Sequence, residues 1–155
     1  MVSLSSPLSL YAIPAMWVIS YYPARVRSSL IKQAAGNYDN VRPRGNVAKI
    51  LDQKNVSPDL AARIQRVEGA HINGLENLPF FGLAVLAGNL AGLDNVTLNV
   101  ASGLFLALRV AYNYIYFNQS SRRSAGLRTL TWLASVAVPF YLFVKSASLV
   151  NQKTL

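Results

Sequence analysis

"RIQRVEGAHINGLENLPFF" occupies residues 63–81. It places Arg66, Glu68, His71, Asn73, Glu76 and Asn77 at the mouth of an apolar run that continues to Leu93. Just upstream, "SPDLAARIQRVEGAH" carries a helix start. Ser57 is a capping candidate, Pro58 falls at the first helical position, and Asp59 suits the positive end of the helix dipole. The helix therefore begins outside the apolar zone and carries charged and amide side chains into it. At about 100° per residue, Arg66, Gly69, Asn73, Glu76, Asn77 and Phe80 fall within an arc of roughly 100°. His71 lies nearly opposite, so it serves a different contact.

The rest of the chain explains why that apolar run matters. Of the 155 residues, 52% are hydrophobic and 14% charged, against roughly 25% charged in ordinary soluble domains. This points to an all-α membrane protein of one domain spanning residues 1–155. The net charge of +9 would by itself suit nucleic acid, but the cations are segregated between long apolar runs, as at a membrane surface. No nucleic-acid partner is expected. There is no cysteine and one histidine, which excludes disulfides, a cysteine nucleophile and a multi-histidine metal site. No phosphate-cradling glycine loop or nucleophile elbow is present.

A helix needs about 20 largely apolar residues to cross the hydrocarbon core. Four segments qualify, at about 7–24, 68–93, 96–118 and 129–150, and predict a four-transmembrane-helix bundle. Pro14 and Pro139 are expected to kink their spans. The segment 25–66 is long, polar and turn-rich ("NYDNVRPRGN") and holds nine of the fifteen Lys and Arg residues. The link after the second span, "GLDNV", has no cation, and the link after the third, "QSSRRSAGLR", is basic. Cations mark the cytoplasmic side. The loop 25–66 is thus expected in the cytoplasm and both termini in the lumen. Arg25 and Arg27 follow the first apolar run instead of preceding it, which fits a retained span and not a cleaved signal peptide. The sequons at Asn95 and Asn118 read as chance matches.

Polar groups inside a span are costly and usually face the bundle interior. On the third span Ser102, Phe105, Arg109, Tyr112, Asn113 and Tyr116 share an arc of roughly 100°. An unpaired Arg109 near mid-span would cost at least about 2.5 kcal/mol, and Glu76 is the obvious type of partner. Two polar stripes, a deep Arg and a cluster of Arg122, Arg123 and Arg128 suit an anionic, peptide-sized ligand entering from the cytoplasm. The alternative is that these groups only fasten helices together by hydrogen bonds.

The stretch "RVEGAHINGLENLPFF" closely resembles the signature of the MAPEG family, membrane-associated proteins in eicosanoid and glutathione metabolism. The matching residues are Arg66, Ala70, His71, Asn73, Glu76, Pro79, Phe80 and Phe81. "LFLALRVAYNYIYF" is similar to the family's third helix, with Arg109 and Tyr116, and "RSAGLRTLTW" to the start of its fourth. "LYAIPAMWVISYYPARVR" and "YDNVRPRGN" look most like fungal members.

The resemblance implies homotrimers of four-helix protomers in the endoplasmic reticulum or outer mitochondrial membrane, with glutathione bound between subunits. Asn73 and Glu76 would hold its polar backbone and γ-glutamyl part, and Tyr112, Asn113 and Tyr116 would line the same pocket near Arg66. Either Arg25 or Arg27 would supply the helix-one cation. Arg128, with Thr129 beside it, would stabilise the thiolate, with Arg123 as its competitor; a nearby cation raises the thiolate fraction. Glu76, Arg109 and Arg128 are the expected catalytic groups. The implied activity is glutathione-dependent transfer or peroxide reduction on a lipophilic small molecule. Gly69 stands where prostaglandin-forming relatives place an Arg, and Tyr112 where they place a His. Gly69 favours the alternative of a glutathione-independent isomerase or cyclase acting on a hydrophobic natural product. A third reading is a non-enzymatic lipid-presenting protein.

Overall fold

The computed structural model describes Ser3 and residues 5–154. A 3₁₀ turn (Ser9–Tyr11) leads into α1 (Ala12–Ala35). After it come a second 3₁₀ turn (Pro43–Gly45), the short α2 (Asn46–Leu51), α3 (Pro58–Ala91), α4 (Asn95–Asn118) and α5 (Arg122–Thr154). No strand occurs among the described residues.

The helix start expected at Ser57 is present. Its side chain accepts a hydrogen bond from the Leu60 N–H at 3.3 Å, and Pro58 is the first helical residue. α3 ends at Gly92, whose φ of 81° is a left-handed conformation that glycine adopts without strain. Asp94 then caps α4 by accepting from the Thr97 N–H at 2.8 Å, so the chain reverses within residues 92–94. Lys153 Nζ donates to the Ala91 carbonyl at 2.9 Å, satisfying one of the unpaired carbonyls at the α3 C-terminus.

The helices outrun the apolar runs at the arginine-rich end. α1 continues to Ala35, and α5 begins at Arg122, where Ser121 and Ser124 exchange backbone-to-hydroxyl hydrogen bonds at 3.2 and 3.0 Å. Arg25, Arg27, Arg66, Arg123 and Arg128 consequently ride on helices, and the connecting segment shrinks to 36–57. Pro14 does not sit mid-helix. α1 starts at Ala12, which puts Pro14 in the first turn, where a missing N–H breaks no ladder. Pro23, Pro79 and Pro139 are the interior prolines.

The segment 36–57 is organised by Asp39 and Asn46. Asp39 accepts from the N–H groups of Val41 and Arg42, each at 2.9 Å, and from Lys49 Nζ at 2.7 Å. Asn46 accepts from the Asp39 N–H at 2.9 Å. Beneath it, Ile31, Ile50 and Ile64 are fully buried and fix α2 against the ends of α1 and α3.

The main core is built where α1, α3, α4 and α5 meet. Phe81 and Phe105 stack at 4.0 Å with their planes 5° apart, surrounded by Met16, Val85, Leu98 and Leu142. α1 and α3 approach closely at Ser20 and Gly74, where a Cβ on Gly74 would lie 3.0 Å from the Ser20 Cα. His71 Nδ1 lies 2.8 Å from the Ser20 carbonyl oxygen, so the ring donates its proton there and ties α3 to α1. Outward, Trp17, Val18, Leu104, Val110, Phe140 and Val144 are exposed. An apolar surface of that extent would be an aggregation liability in water and is the expected surface in hydrocarbon. α4 and the Arg122–Lys153 stretch of α5 are long and apolar enough to cross a membrane.

Candidate functional site

The two polar stripes meet where α3 faces α4. Arg109 is 1% exposed, and one of its terminal nitrogens donates to Asn73 Oδ1 at 2.8 Å. Asn77 donates to the Asn73 carbonyl at 2.8 Å, which holds the amide pair in register along α3. The Arg109 guanidinium carbon stands 4.4 Å from the centre of the Tyr112 ring. Tyr112 meets Tyr116 edge-on at 5.6 Å, and Arg128 from α5 lies 4.6 Å over the Tyr116 ring. The result is a continuous ladder, Arg109–Tyr112–Tyr116–Arg128, with spacings of three, four and twelve residues.

A physical reason exists for each rung. Arg109, Tyr112 and Tyr116 follow the three- and four-residue spacing of one helix face. A weakly hydrated guanidinium stacks well on an aromatic face, which lysine would do less well. The ladder also leaves chemistry unused. Nε and Nη1 of Arg109 are buried and have no hydrogen-bond partner. A buried cation whose donors are unsatisfied demands an acceptor, and a carboxylate is the best match to its fork geometry.

Gly69 has a structural role. A Cβ at this position would lie 2.5 Å from the Tyr116 hydroxyl oxygen. The absence of a side chain on α3 is what lets the phenol lie flush against that helix. Both residues lie on the stripes read from the sequence, but helical phase alone does not reveal that they touch.

The other candidates separate from the ladder. Glu76 is exposed on the flank of α3 and makes no ion pair with Arg109; Asn73 takes the position at the guanidinium instead. Arg27 forms an ion pair with Glu68 and also donates to the Tyr38 hydroxyl at 3.4 Å, so it is engaged in holding α1, α3 and the 36–57 segment together. Glu68 stands at the mouth of the second apolar run, and nothing in the sequence there signals that Arg27 is its partner. Arg25 is exposed. Arg66 is half-buried, with its Nε unpartnered. Asn113 turns toward α1, donating to the Ile19 carbonyl at 3.1 Å. Thr129 is exposed and donates to the Ala125 carbonyl on its own helix at 3.1 Å, and Arg123 is exposed on the first turn of α5.

A helical bundle with a largely apolar outer surface, two helices long and apolar enough to cross a membrane and a buried Arg109 between α3 and α4 is a helical membrane protein. Its sequence matches the MAPEG family over residues 7–148. The chain belongs to that family. No curated protein sequence and no solved structure matches it.

Proposed function

We propose that the chain is an integral membrane enzyme that uses glutathione as cosubstrate on a lipophilic electrophile or hydroperoxide. In this reading it is one domain of four spans, assembled as a homotrimer in the endoplasmic reticulum, with the arginine-rich end and the 36–57 segment in the cytoplasm. The observation that carries the reading is Arg109, buried within the apolar helix α4 with two guanidinium nitrogens unpaired. Family membership and the cation–π ladder support it.

The roles follow from position. Arg109 and Asn73 receive a carboxylate and an amide of the tripeptide. Glu76, exposed beside them, takes the ammonium of the γ-glutamyl part. Arg25, free where Arg27 is paired, supplies the second cation at the mouth. Arg128 stands at the end of the ladder nearest the arginine-rich surface and stabilises the thiolate. Glutathione contributes the sulfur nucleophile. In conjugation the thiol proton leaves to solvent, a carbon–sulfur bond forms, and the electrophile's leaving group or π-bond takes the electron pair. Thr129 and Arg123 border this end of the site.

Isothermal titration of the detergent-purified protein with glutathione tests the reading. The expected result is saturable binding that Arg109→Lys abolishes, since an ammonium cannot supply the planar fork. No binding at millimolar glutathione rejects it. A second reading, a glutathione-independent isomerase or cyclase, draws support from Gly69, because the Tyr116 hydroxyl occupies the space that a side chain there would need. Turnover that survives removal of glutathione and is lost in Glu76→Ala would select it.

A further inference from the structure

The segment after α1 turns back on itself. α1 carries the chain eight residues past Arg27, about 12 Å, before Gly36 ends it with a φ of 74°. Arg27 then donates to the Tyr38 hydroxyl at 3.4 Å, and that hydroxyl donates to the Pro43 carbonyl at 3.3 Å. Arg27 is also paired with Glu68, at the mouth of the second apolar run. Pro43 is therefore one phenol away from the ion pair that marks the edge of the apolar zone. The chain climbs away from that edge and comes back to it.

The turn at this level is held from its inner side. Asp39 accepts from the Val41 and Arg42 N–H groups, and the Asn46 amide donates to the Asp39 carbonyl at 2.9 Å and to the Pro43 carbonyl at 3.0 Å. Those bonds occupy the backbone and leave the side chains of residues 41–44 exposed. Val41 is 89% exposed. Arg42 and Arg44 follow it and form no ion pair among the described residues, and the neighbouring carboxylate, Asp39, is taken by Lys49. A single exposed valine needs no explanation. A tied-down turn that presents an apolar tip beside two free cations, level with the start of the apolar zone, matches lipid headgroups that carry negative charge above hydrocarbon.

We propose that the 39–44 turn is a contact for anionic phospholipid in the chain's own bilayer, with Val41 seated among the headgroups and Arg42 and Arg44 on their phosphates. The contact is separate from the Arg109 ladder and independent of whether glutathione is used. The orientation proposed above serves only to name the leaflet, the cytoplasmic one, where such lipids are concentrated. A free phosphate engages the arginines and leaves Val41 in water. A zwitterionic surface takes Val41 and offers the arginines no net charge. Because Asp39 and Asn46 already fix the turn, docking orders little further backbone.

The chain has no cysteine, so Asn40→Cys, at an exposed position beside the tip, can carry a single polarity-sensitive fluorophore on the full-length protein. The labelled protein is placed in nanodiscs in which phosphatidylserine progressively replaces phosphatidylcholine. Emission is expected to shift to the blue and to saturate as phosphatidylserine rises. One cation near an anionic surface multiplies association about fivefold. Arg42→Gln combined with Arg44→Gln should therefore raise the midpoint by about tenfold or more. Val41→Ser should reduce the shift at saturation. Thermal unfolding of these variants should match the parent, because none of the three side chains is buried. Emission that is the same in pure phosphatidylcholine and at high phosphatidylserine would overturn the proposal. So would a midpoint unchanged in the double arginine variant, or a shift undiminished by Val41→Ser. A full blue shift produced by inorganic phosphate in phosphatidylcholine discs would also overturn it, making the turn an anion site with no role for the membrane.

Discussion

Gly69→Ala adds one methyl group, and the structure sets its effect. The new Cβ would lie 2.5 Å from the Tyr116 hydroxyl oxygen, 3.0 Å from Cζ and 3.3 Å from Cε1. The oxygen contact is too close to survive, so the Tyr116 ring must swing away from α3. That motion disturbs the stack under Arg128 and the edge contact with Tyr112. Overpacking of this kind costs about 1–3 kcal/mol. Replacing glycine inside a helix returns about 1 kcal/mol through backbone entropy. The net destabilisation is therefore about 0–2 kcal/mol, small enough to be ambiguous alone. Tyr116→Phe resolves it by removing the oxygen and leaving the ring beneath Arg128. In that background Gly69→Ala keeps the helix gain and loses the worst clash, so the two substitutions should couple by about 1–2 kcal/mol. Equilibrium unfolding of the four proteins in mixed detergent micelles measures the cycle. Additivity within about 0.5 kcal/mol would refute the claim that Gly69 exists to seat Tyr116.

His71→Phe should destabilise the bundle by about 1 kcal/mol through loss of the bond to the Ser20 carbonyl and leave glutathione affinity unchanged; a matching loss of affinity in titration would place His71 in the site. Gly74→Ala, directed at the α1 backbone instead of a side chain tip, should be more damaging than Gly69→Ala in the same unfolding assay, because Ser20 Cα at 3.0 Å cannot rotate away. Asp39 is held below the usual carboxylate value of 3.8 by its hydrogen bond to Lys49, then by the Arg42 N–H. A carboxylate with a lowered folded value stabilises fully above the unfolded value and loses that contribution as pH falls through the lower one. The 36–57 segment should thus be insensitive between pH 5 and 8 and loosen only under acid. At neutral pH, Asp39→Ala should speed amide exchange at Val41 and Arg42, and unchanged exchange there would contradict the assignment.

The helices were legible wherever a local rule governs them. Ser57 and Pro58 mark a start whatever follows, and the polar stripe on α3 requires only helical phase. The stop of α1 and the start of α5 were not, because polar helix outside hydrocarbon has no hydropathy signal; the Ser121–Ser124 cap was the available clue. The place of Pro14 is hidden for a related reason, since its effect depends on where the helix begins, and α1 begins at Ala12. Helical phase alone puts Arg109 on an inward face, but it does not name the partner. Charge complementarity names Glu76, while the crossing of α3 and α4 brings Asn73 to the guanidinium. Such a choice between residues three positions apart on one stripe is made by interhelical geometry, which the sequence carries only through packing.

Glu76 poses the sharper problem. It lies fifteen residues before the end of α3, about 22 Å along the axis, while the hydrocarbon core is about 30 Å thick. If α3 crosses with Ala91 at the far boundary, Glu76 is inside hydrocarbon and exposed on the flank of a single chain. An uncovered carboxylate there is costly, so something must cover it, and another copy and a bound ligand predict different behaviour. Glu76→Gln preserves shape and removes charge. If the carboxylate holds the ligand's ammonium, the variant should keep the oligomeric mass of the parent in native mass spectrometry and lose about tenfold or more in glutathione affinity, the scale of one charge-assisted hydrogen bond. If the variant instead dissociates to smaller species, Glu76 is a fastener between copies, and the polar flank of α3 loses its claim to be a binding surface.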